Sequence, residues 1–205
     1  QPMDECVVGA MQQMRPSELG HFLRGYAQCQ YSSPEVLEAW DNRCSEVWFD
    51  MEWRDALNAL MAIGDILGSH LQSVEWLWWL FIQYSHLVQV RELAHVAYCA
   101  AVLGCRRNDV AKHITLQFNQ HYGAPAKQEV SGENAVKLLW SLAIMRIPVA
   151  QSLANRVMDC ISRNAISRES MLALHQAVTL LGITAPPGVK QHIDRLLAEH
   201  KRNPA

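Results

Sequence analysis

The amino-acid sequence predicts an all-α fold, an α-solenoid of about five helix-turn-helix repeats. One pattern recurs along the chain: an apolar helix, a break at a small residue, and a second apolar helix. When the first helices are superposed without gaps, their anchor residues are Leu19, Leu57, Leu93, Val136 and Met171, spaced by 38, 36, 43 and 35 residues. Self-similarity with a period in this range is typical of helical solenoids.

Apolar residues follow each anchor at helical rather than strand spacing. Three residues after the anchors come Phe22, Leu60, Val96, Leu139 and Leu174. The predicted second helices carry their own apolar residues at Trp40, Trp78, Ile114, Val157 and Ile193. Spacings of i, i+3/i+4 and i+7 predict amphipathic helices, and no segment has the period-2 alternation of a half-buried strand.

Helix-breaking residues set the element boundaries in order along the chain. Residues 1–16 are expected to be a leader or the end of a preceding repeat, and Pro16-Ser17-Glu18 suits the start of a helix, with Ser17 able to cap it. The single solenoid domain then covers 17–205, with repeats at about 17–53, 54–90, 91–130, 131–167 and 168–205. Gly68, Gly104 and Gly182 are expected to end three first helices in the left-handed conformation.

Composition excludes several classes of protein. Half of the residues are hydrophobic, which is enough for a continuous core. The formal net charge is −2, so any contact with nucleic acid needs a local basic patch. No apolar run reaches the length of a membrane span. The chain opens with Gln1, as a processed protein or a fragment does, and its scattered cysteines are expected to be reduced, intracellular thiols that fill the core.

Neither a metal site nor a catalytic site is predicted. His95 and Cys99 are four residues apart and Cys105 follows, but the paired spacing of a zinc site is missing. The sequence contains no G-x-S-x-G, no phosphate-binding G-x-x-x-x-G-K and no H-E-x-x-H. We therefore expect a protein that is not an enzyme and uses no cofactor.

The tryptophans allow two interpretations. Trp78 aligns with buried positions of the other repeats and is expected in the core. The remaining candidates are Trp48, Trp53, Trp76 and Trp79. They either cover a neighbouring repeat or form an aromatic anchor for a partner protein or a base-stacking platform.

Basic residues are the candidates for contact with RNA phosphates. The predicted RNA-binding residues are Arg106, Arg107, Lys112, Arg146, Arg156 and Arg163. Equivalent positions of a solenoid line up, so Arg106, Arg107 and Arg146 are expected on one edge, where they either bind a strand or are ordinary solvated charges. The first two repeats have few basic residues and many aromatic ones, which indicates protein contacts in the N-terminal half and RNA contacts in the C-terminal half.

The fourth repeat, AVKLLWSLAIMRIPVAQSLANRVMDCI, carries an "LLW-LA" core at Leu138, Leu139, Trp140, Leu142 and Ala143. This segment resembles the octotricopeptide and heptatricopeptide repeats of organellar proteins, and the helical repeats that precede RAP domains in Fas-activated serine/threonine kinase-like proteins. The resemblance covers roughly residues 17–200, and the second repeat departs from it at Asp65. A RAP domain is absent from this sequence, so the nuclease-like role proposed for that domain is not carried over.

The resemblance implies a protein of organellar RNA metabolism in the mitochondrial matrix, as in kinetoplastids or apicomplexans. The expected function is a non-catalytic RNA-binding or RNA-positioning scaffold subunit of a ribonucleoprotein for RNA editing or processing. The alternative is a purely protein–protein scaffold of an assembly such as the mitoribosome or its assembly intermediates. Expected partners are other subunits of a large complex and RNA, with no membrane span.

Overall fold

A computed structural model describes residues 2–29, 33–66, 71–123, 131–162 and 166–202. Across these ranges every regular element is helical and no strand is formed, which confirms the prediction of an all-α fold. The α-helices are α1 (Pro2–Met11), α2 (Pro16–Gln28), α3 (Pro34–Val47), α4 (Trp53–Ile66), α5 (Ser73–Tyr84), α6 (Val90–Val102), α7 (Asn108–Gly123), α8 (Gly132–Ile144), α9 (Gln151–Ser162), α10 (Arg168–Leu181) and α11 (Pro187–Arg202). Single 3-10 turns follow α3 at Trp48–Asp50 and α5 at Ser85–Leu87.

Polar side chains cap the starts of several helices. Ser33, Ser131 and Ser167 each accept a hydrogen bond from a backbone N–H in the first turn of the helix that follows. The expected cap at Ser17 is wrong, because the N-cap of α2 is Arg15, two residues earlier. Proline is favourable in the first helical turn, so the helix begins at Pro16. The Glu18 carboxylate accepts the Arg15 backbone N–H at 2.7 Å and stabilises this start.

Left-handed residues end three of the first helices. Gly104 has φ +64° and Gly182 has φ +63°, as expected for helix C-termini. Arg146 has φ +56° after α8, a conformation that is unfavourable for a residue with a Cβ atom. The turn around Arg146 is closed by a hydrogen bond from the Ile147 N–H to the Leu142 carbonyl at 2.9 Å. Gly68, the remaining predicted helix end, lies outside the described residues.

Contacts between residues divide the chain into two compact units. The N-terminal unit comprises Gln1–Leu87 with Val102–Cys105, and the C-terminal unit comprises Val88–Ala101 with Arg106–Ala205. In the N-terminal unit α2 packs on α4, α1 and α5 both pack on α3, and α4 packs on α5. The first helix of one pair therefore contacts the first helix of the next pair, and second helices contact second helices.

The same contact pattern holds in the C-terminal unit. There α8 packs on α10, α7 and α11 both pack on α9, and the pairs α8–α9 and α10–α11 are closed by contacts between their members. The anchor residues of all the first helices are buried at Leu19, Leu57, Leu93, Val136 and Met171. The side chain of Phe22, three residues after the first anchor, is only half-buried.

Side chains of one helix pair hold the ends of helices in the next pair. In the N-terminal unit the Asp41 carboxylate accepts the Gln72 and Ser73 backbone N–H groups at 2.9 and 2.8 Å, at the start of α5. In the C-terminal unit Glu133 accepts the Ser167 N–H at 2.5 Å, at the start of α10. These residues lie more than 30 positions apart in sequence, so each contact fixes one pair against another.

Candidate interaction surfaces

The two units carry opposite charge. The N-terminal unit contains twelve Asp and Glu residues and four Arg residues, a net charge of −8 with neutral histidines. The C-terminal unit contains fourteen Lys and Arg residues and eight acidic residues, a net charge of +6. The net charge of −2 for the whole chain is therefore the sum of two units of opposite net charge.

Four aromatic side chains form a cluster on the N-terminal unit, defined here by Trp48, Phe49, Trp76 and Trp79. The Trp48 ring is stacked on the Trp76 ring, with centroids 6.0 Å apart and an interplanar angle of 10°. Trp79 meets Trp48 edge to face, with centroids 5.7 Å apart at 81°. Phe49 meets Trp48 at 6.3 Å and 84°. Trp48 is thus the centre of the cluster and connects the turn after α3 with the outer face of α5.

The cluster is partly open to solvent. Trp79 is 46% exposed and Phe49 is 65% exposed, whereas Trp48 and Trp76 are half-buried. Trp48 and Trp76 therefore cover each other, whereas Trp79 keeps nearly half of its surface exposed. Trp78 is buried against Phe81, as predicted.

The fourth predicted tryptophan makes a different contact. Trp53 is half-buried at the start of α4, and the guanidinium carbon of Arg54 lies 5.1 Å from the centroid of its ring. Trp53 therefore already has a cation over its ring.

An acidic cleft of about 580 Å³ lies between α1 and α3 of the same unit. Glu35, Glu38 and Glu46 line one wall. The Arg43 guanidinium binds the Met14 carbonyl oxygen at 3.1 Å and pairs with Glu46 at 2.8 Å, so one of these carboxylates is already neutralised.

The predicted basic residues have different environments within the C-terminal unit. Arg106 and Lys112 are exposed. Arg107 forms a bidentate ion pair with Asp109 at the start of α7, with its Nη2 2.7 Å from the carboxylate. Hydrogen bonds from this guanidinium lower the pKa of Asp109 to about 2, so the charge of Arg107 is largely matched before any phosphate approaches.

The other predicted basic residues lie on or near α8 and α9. Arg146 is exposed at the left-handed turn after α8. Arg156 is exposed on α9, where it donates a hydrogen bond to the Tyr122 carbonyl oxygen at 3.2 Å. Arg163 lies outside the described residues. Arg106 and Arg146 follow the first helices of successive pairs and are the two that best fit phosphate contact.

Sequence reasoning missed a row of side chains along the first helices of the C-terminal unit. The Tyr98 ring of α6 is 6.0 Å from the Trp140 ring of α8, and the Lys137 ammonium lies 4.7 Å from the Tyr98 centroid. Trp140 then donates from Nε1 to Gln176 of α10 at 2.9 Å. The "LLW-LA" motif assigned Trp140 to the core, but it is half-buried and its indole N–H needs a polar partner.

The remaining chemistry of the described residues is sparse. Their His, Cys, Asp and Glu side chains form no group of three that fits a metal ion. Cys44 and Cys99 are buried, but Cys6 and Cys29 are exposed, so the prediction that the cysteines fill the core is wrong for the last two. Of the described helices, none combines the length and the apolar character that crossing a membrane requires.

Comparison of the sequence with protein-family models and with curated proteins finds no match.

Proposed function

We propose that this chain is a non-catalytic helical-repeat scaffold whose C-terminal unit binds or positions RNA in a ribonucleoprotein. The observation that carries the proposal is the separation of charge, since the +6 unit attracts a polyanion and the −8 unit repels one. Sequence resemblance to organellar RNA-binding repeats extends the proposal to an RNA editing or processing complex of the mitochondrial matrix.

The scaffold is proposed to be an α-solenoid built from successive helix pairs. Support comes from the packing inside each unit, where first helices contact first helices and second helices contact second helices. Side-chain bonds from one pair to the helix ends of the next, at Asp41 and Glu133, add to this support. A solenoid offers an extended surface, which suits a long client such as a single RNA strand.

Arg106 and Arg146 are proposed to contact RNA phosphates directly. Both are exposed, and each follows the first helix of its pair. Arg107 is a weaker candidate because Asp109 already holds its guanidinium. Each phosphate contact that is lost is expected to reduce the slope of log K against log salt by about 0.7 for a single strand.

Fluorescence anisotropy with a labelled single-stranded RNA of mixed sequence tests the proposal. The chain is expected to bind at about 50 mM salt and to lose affinity at about 200 mM. Arg106→Ser and Arg146→Gly are each expected to weaken binding, and glycine suits the left-handed backbone at the second position. Arg54→Ser removes the same charge from the N-terminal unit and serves as the matched control.

Two results would overturn the proposal: no binding at the lower salt concentration, or equal loss of affinity in all three variants. The first result favours the alternative, a purely protein–protein scaffold subunit of a mitochondrial assembly such as the mitoribosome. The exposed aromatic cluster is the observation that favours this alternative. A second experiment recovers the complex from cells through a tag on this chain and crosslinks it to RNA. RNA crosslinks in the C-terminal unit are expected for the RNA-binding scaffold and not for the purely protein–protein scaffold.

A further inference from the structure

The aromatic cluster is ordered by its own internal contacts. Trp48 touches both Trp76 and Trp79 at centroid distances of 6.0 and 5.7 Å. Rings that already hold one another lose little rotamer freedom when a partner binds. Trp79, which is 46% exposed, is therefore part of a preformed aromatic surface, and the face of an aromatic ring is electron-rich.

Two carboxylates lie close in sequence to the residues of this aromatic surface, and Lys and Arg residues are rare in the same stretch. Asp50 directly follows Phe49, and Glu75 lies four residues before Trp79 on α5, so the two share one side of the helix. Asp50 and Glu75 are both exposed. Between Cys44 and Val90 the sequence contains a single Lys or Arg residue, Arg54, which lies over Trp53.

We propose that the aromatic cluster is a docking site for a partner protein segment that carries arginine or lysine, with one cationic side chain lying on the exposed face of Trp79. A cation within about 6 Å of a tryptophan centroid is attracted by the ring, and arginine also stacks on it. The adjacent carboxylates attract the same positive charge, so both features of the surface select the same ligand chemistry. The proposal does not depend on RNA binding by the C-terminal unit.

The electrostatics of the unit disfavour RNA at this surface. An RNA strand would bring phosphates towards Asp50 and Glu75 in a unit whose net charge is −8. A basic protein segment meets attraction at the same positions. Stacking of RNA bases on Trp79 is the competing possibility, and the experiment below distinguishes it from binding of a basic segment.

Isothermal titration of the full chain with an oligoarginine peptide tests the proposal. The comparison ligand is the same peptide with citrulline in place of arginine, which keeps the shape and removes the charge. Oligoarginine is expected to bind at least about tenfold more tightly than the citrulline peptide and to shift the indole N–H signal of Trp79 in NMR spectra.

Two variants distinguish the contribution of the Trp79 indole ring to peptide binding from that of exposed apolar surface in general. Trp79→Leu keeps an apolar side chain and removes the indole, and it is expected to weaken oligoarginine binding about five- to tenfold. Tyr84→Leu is the matched control, since Tyr84 is also an exposed aromatic residue of α5 but lies five residues on, facing about 140° away. This control is expected to bind oligoarginine as the parent chain does.

Equal affinity for the arginine and citrulline peptides would overturn the proposal, as would equal weakening by Trp79→Leu and Tyr84→Leu. If Trp79→Leu weakens binding of single-stranded RNA and leaves oligoarginine binding unchanged, the cluster is a base-stacking platform and the proposal is wrong. Because Arg106 and Arg146 are intact in both variants, these results are independent of the test of RNA binding by the C-terminal unit.

Discussion

Replacement of Gly20 by alanine tests the contact between α2 and α4. Gly20 is buried, and a Cβ atom added there would lie 2.6 Å from the Asp55 carbonyl oxygen and 2.9 Å from the Asp55 Cα atom. Carbon atoms in favourable contact are about 3.5–4.0 Å apart, so the two helices would have to separate by roughly 0.6–1 Å. The obstacle is backbone, which cannot rotate away as a side chain does.

The expected magnitude follows from two opposing effects. Overpacking costs about 1–3 kcal/mol. Alanine is a better helix former than glycine by about 1 kcal/mol, which partly offsets that cost. Gly25 supplies the control, because it lies in the same helix, is exposed, and has nothing within 4 Å of an added Cβ atom. Gly25→Ala is therefore expected to stabilise the protein by about 0.5–1 kcal/mol.

Urea denaturation of the two variants measures the difference. Gly20→Ala is expected to be less stable than Gly25→Ala by about 1–3 kcal/mol, with similar m-values. If both substitutions raise the free energy of unfolding equally, α2 and α4 do not pack closely at Gly20, and the proposed stacking of first helices loses its best-defined contact.

Three further predictions concern single side chains. Arg146→Gly is expected to raise the free energy of unfolding by about 0.5–1 kcal/mol, measured by thermal denaturation, because φ is +56° there; Arg146→Ala should give no gain. Burial raises the pKa of the Cys44 thiol to about 12. At pH 8 an alkylating reagent should therefore modify exposed Cys29 and spare Cys44 in the folded protein, as measured by mass spectrometry. Equal rates of alkylation at the two cysteines would refute this prediction. Burial also raises the pKa of the Asp55 carboxyl. The stability that the protonated carboxyl contributes is therefore present below the unfolded pKa and is lost as pH rises through the folded pKa. Asp55→Asn should flatten that part of the pH profile of urea midpoints, and an unchanged profile would contradict the raised pKa of Asp55.

Helical periodicity was sufficient to predict the all-α fold and the buried anchors. A spacing of three, four and seven residues fixes which side of a helix is apolar, so Leu19, Leu93 and Val136 could be assigned to the core without knowledge of their neighbours. Periodicity does not say which helix covers that side. The stacking of Trp48 on Trp76 joins residues 28 positions apart, and it depends on how the turn after α3 is placed against α5.

The basic residues show the same division between local and distant effects. The ion pair of Arg107 with Asp109 is local, and two residues of separation at a helix start could have predicted it. The hydrogen bond from Arg156 to the Tyr122 carbonyl spans 34 residues and has no signal in the sequence. The opposite charges of the two units were only partly visible, because the boundary between the units comes from their contacts.

The carboxylate of Asp41 belongs to α3 but caps the start of α5, and Glu133 of α8 does the same for α10. If one helical hairpin opened, the helix of the next hairpin would lose the hydrogen bonds at its start, so adjacent hairpins should melt together. Cooperative melting of this kind gives each unit a single unfolding transition and protects its interior amides from hydrogen exchange to a similar degree. A ligand bound across several hairpins would then contact one rigid surface rather than helix pairs that unfold independently.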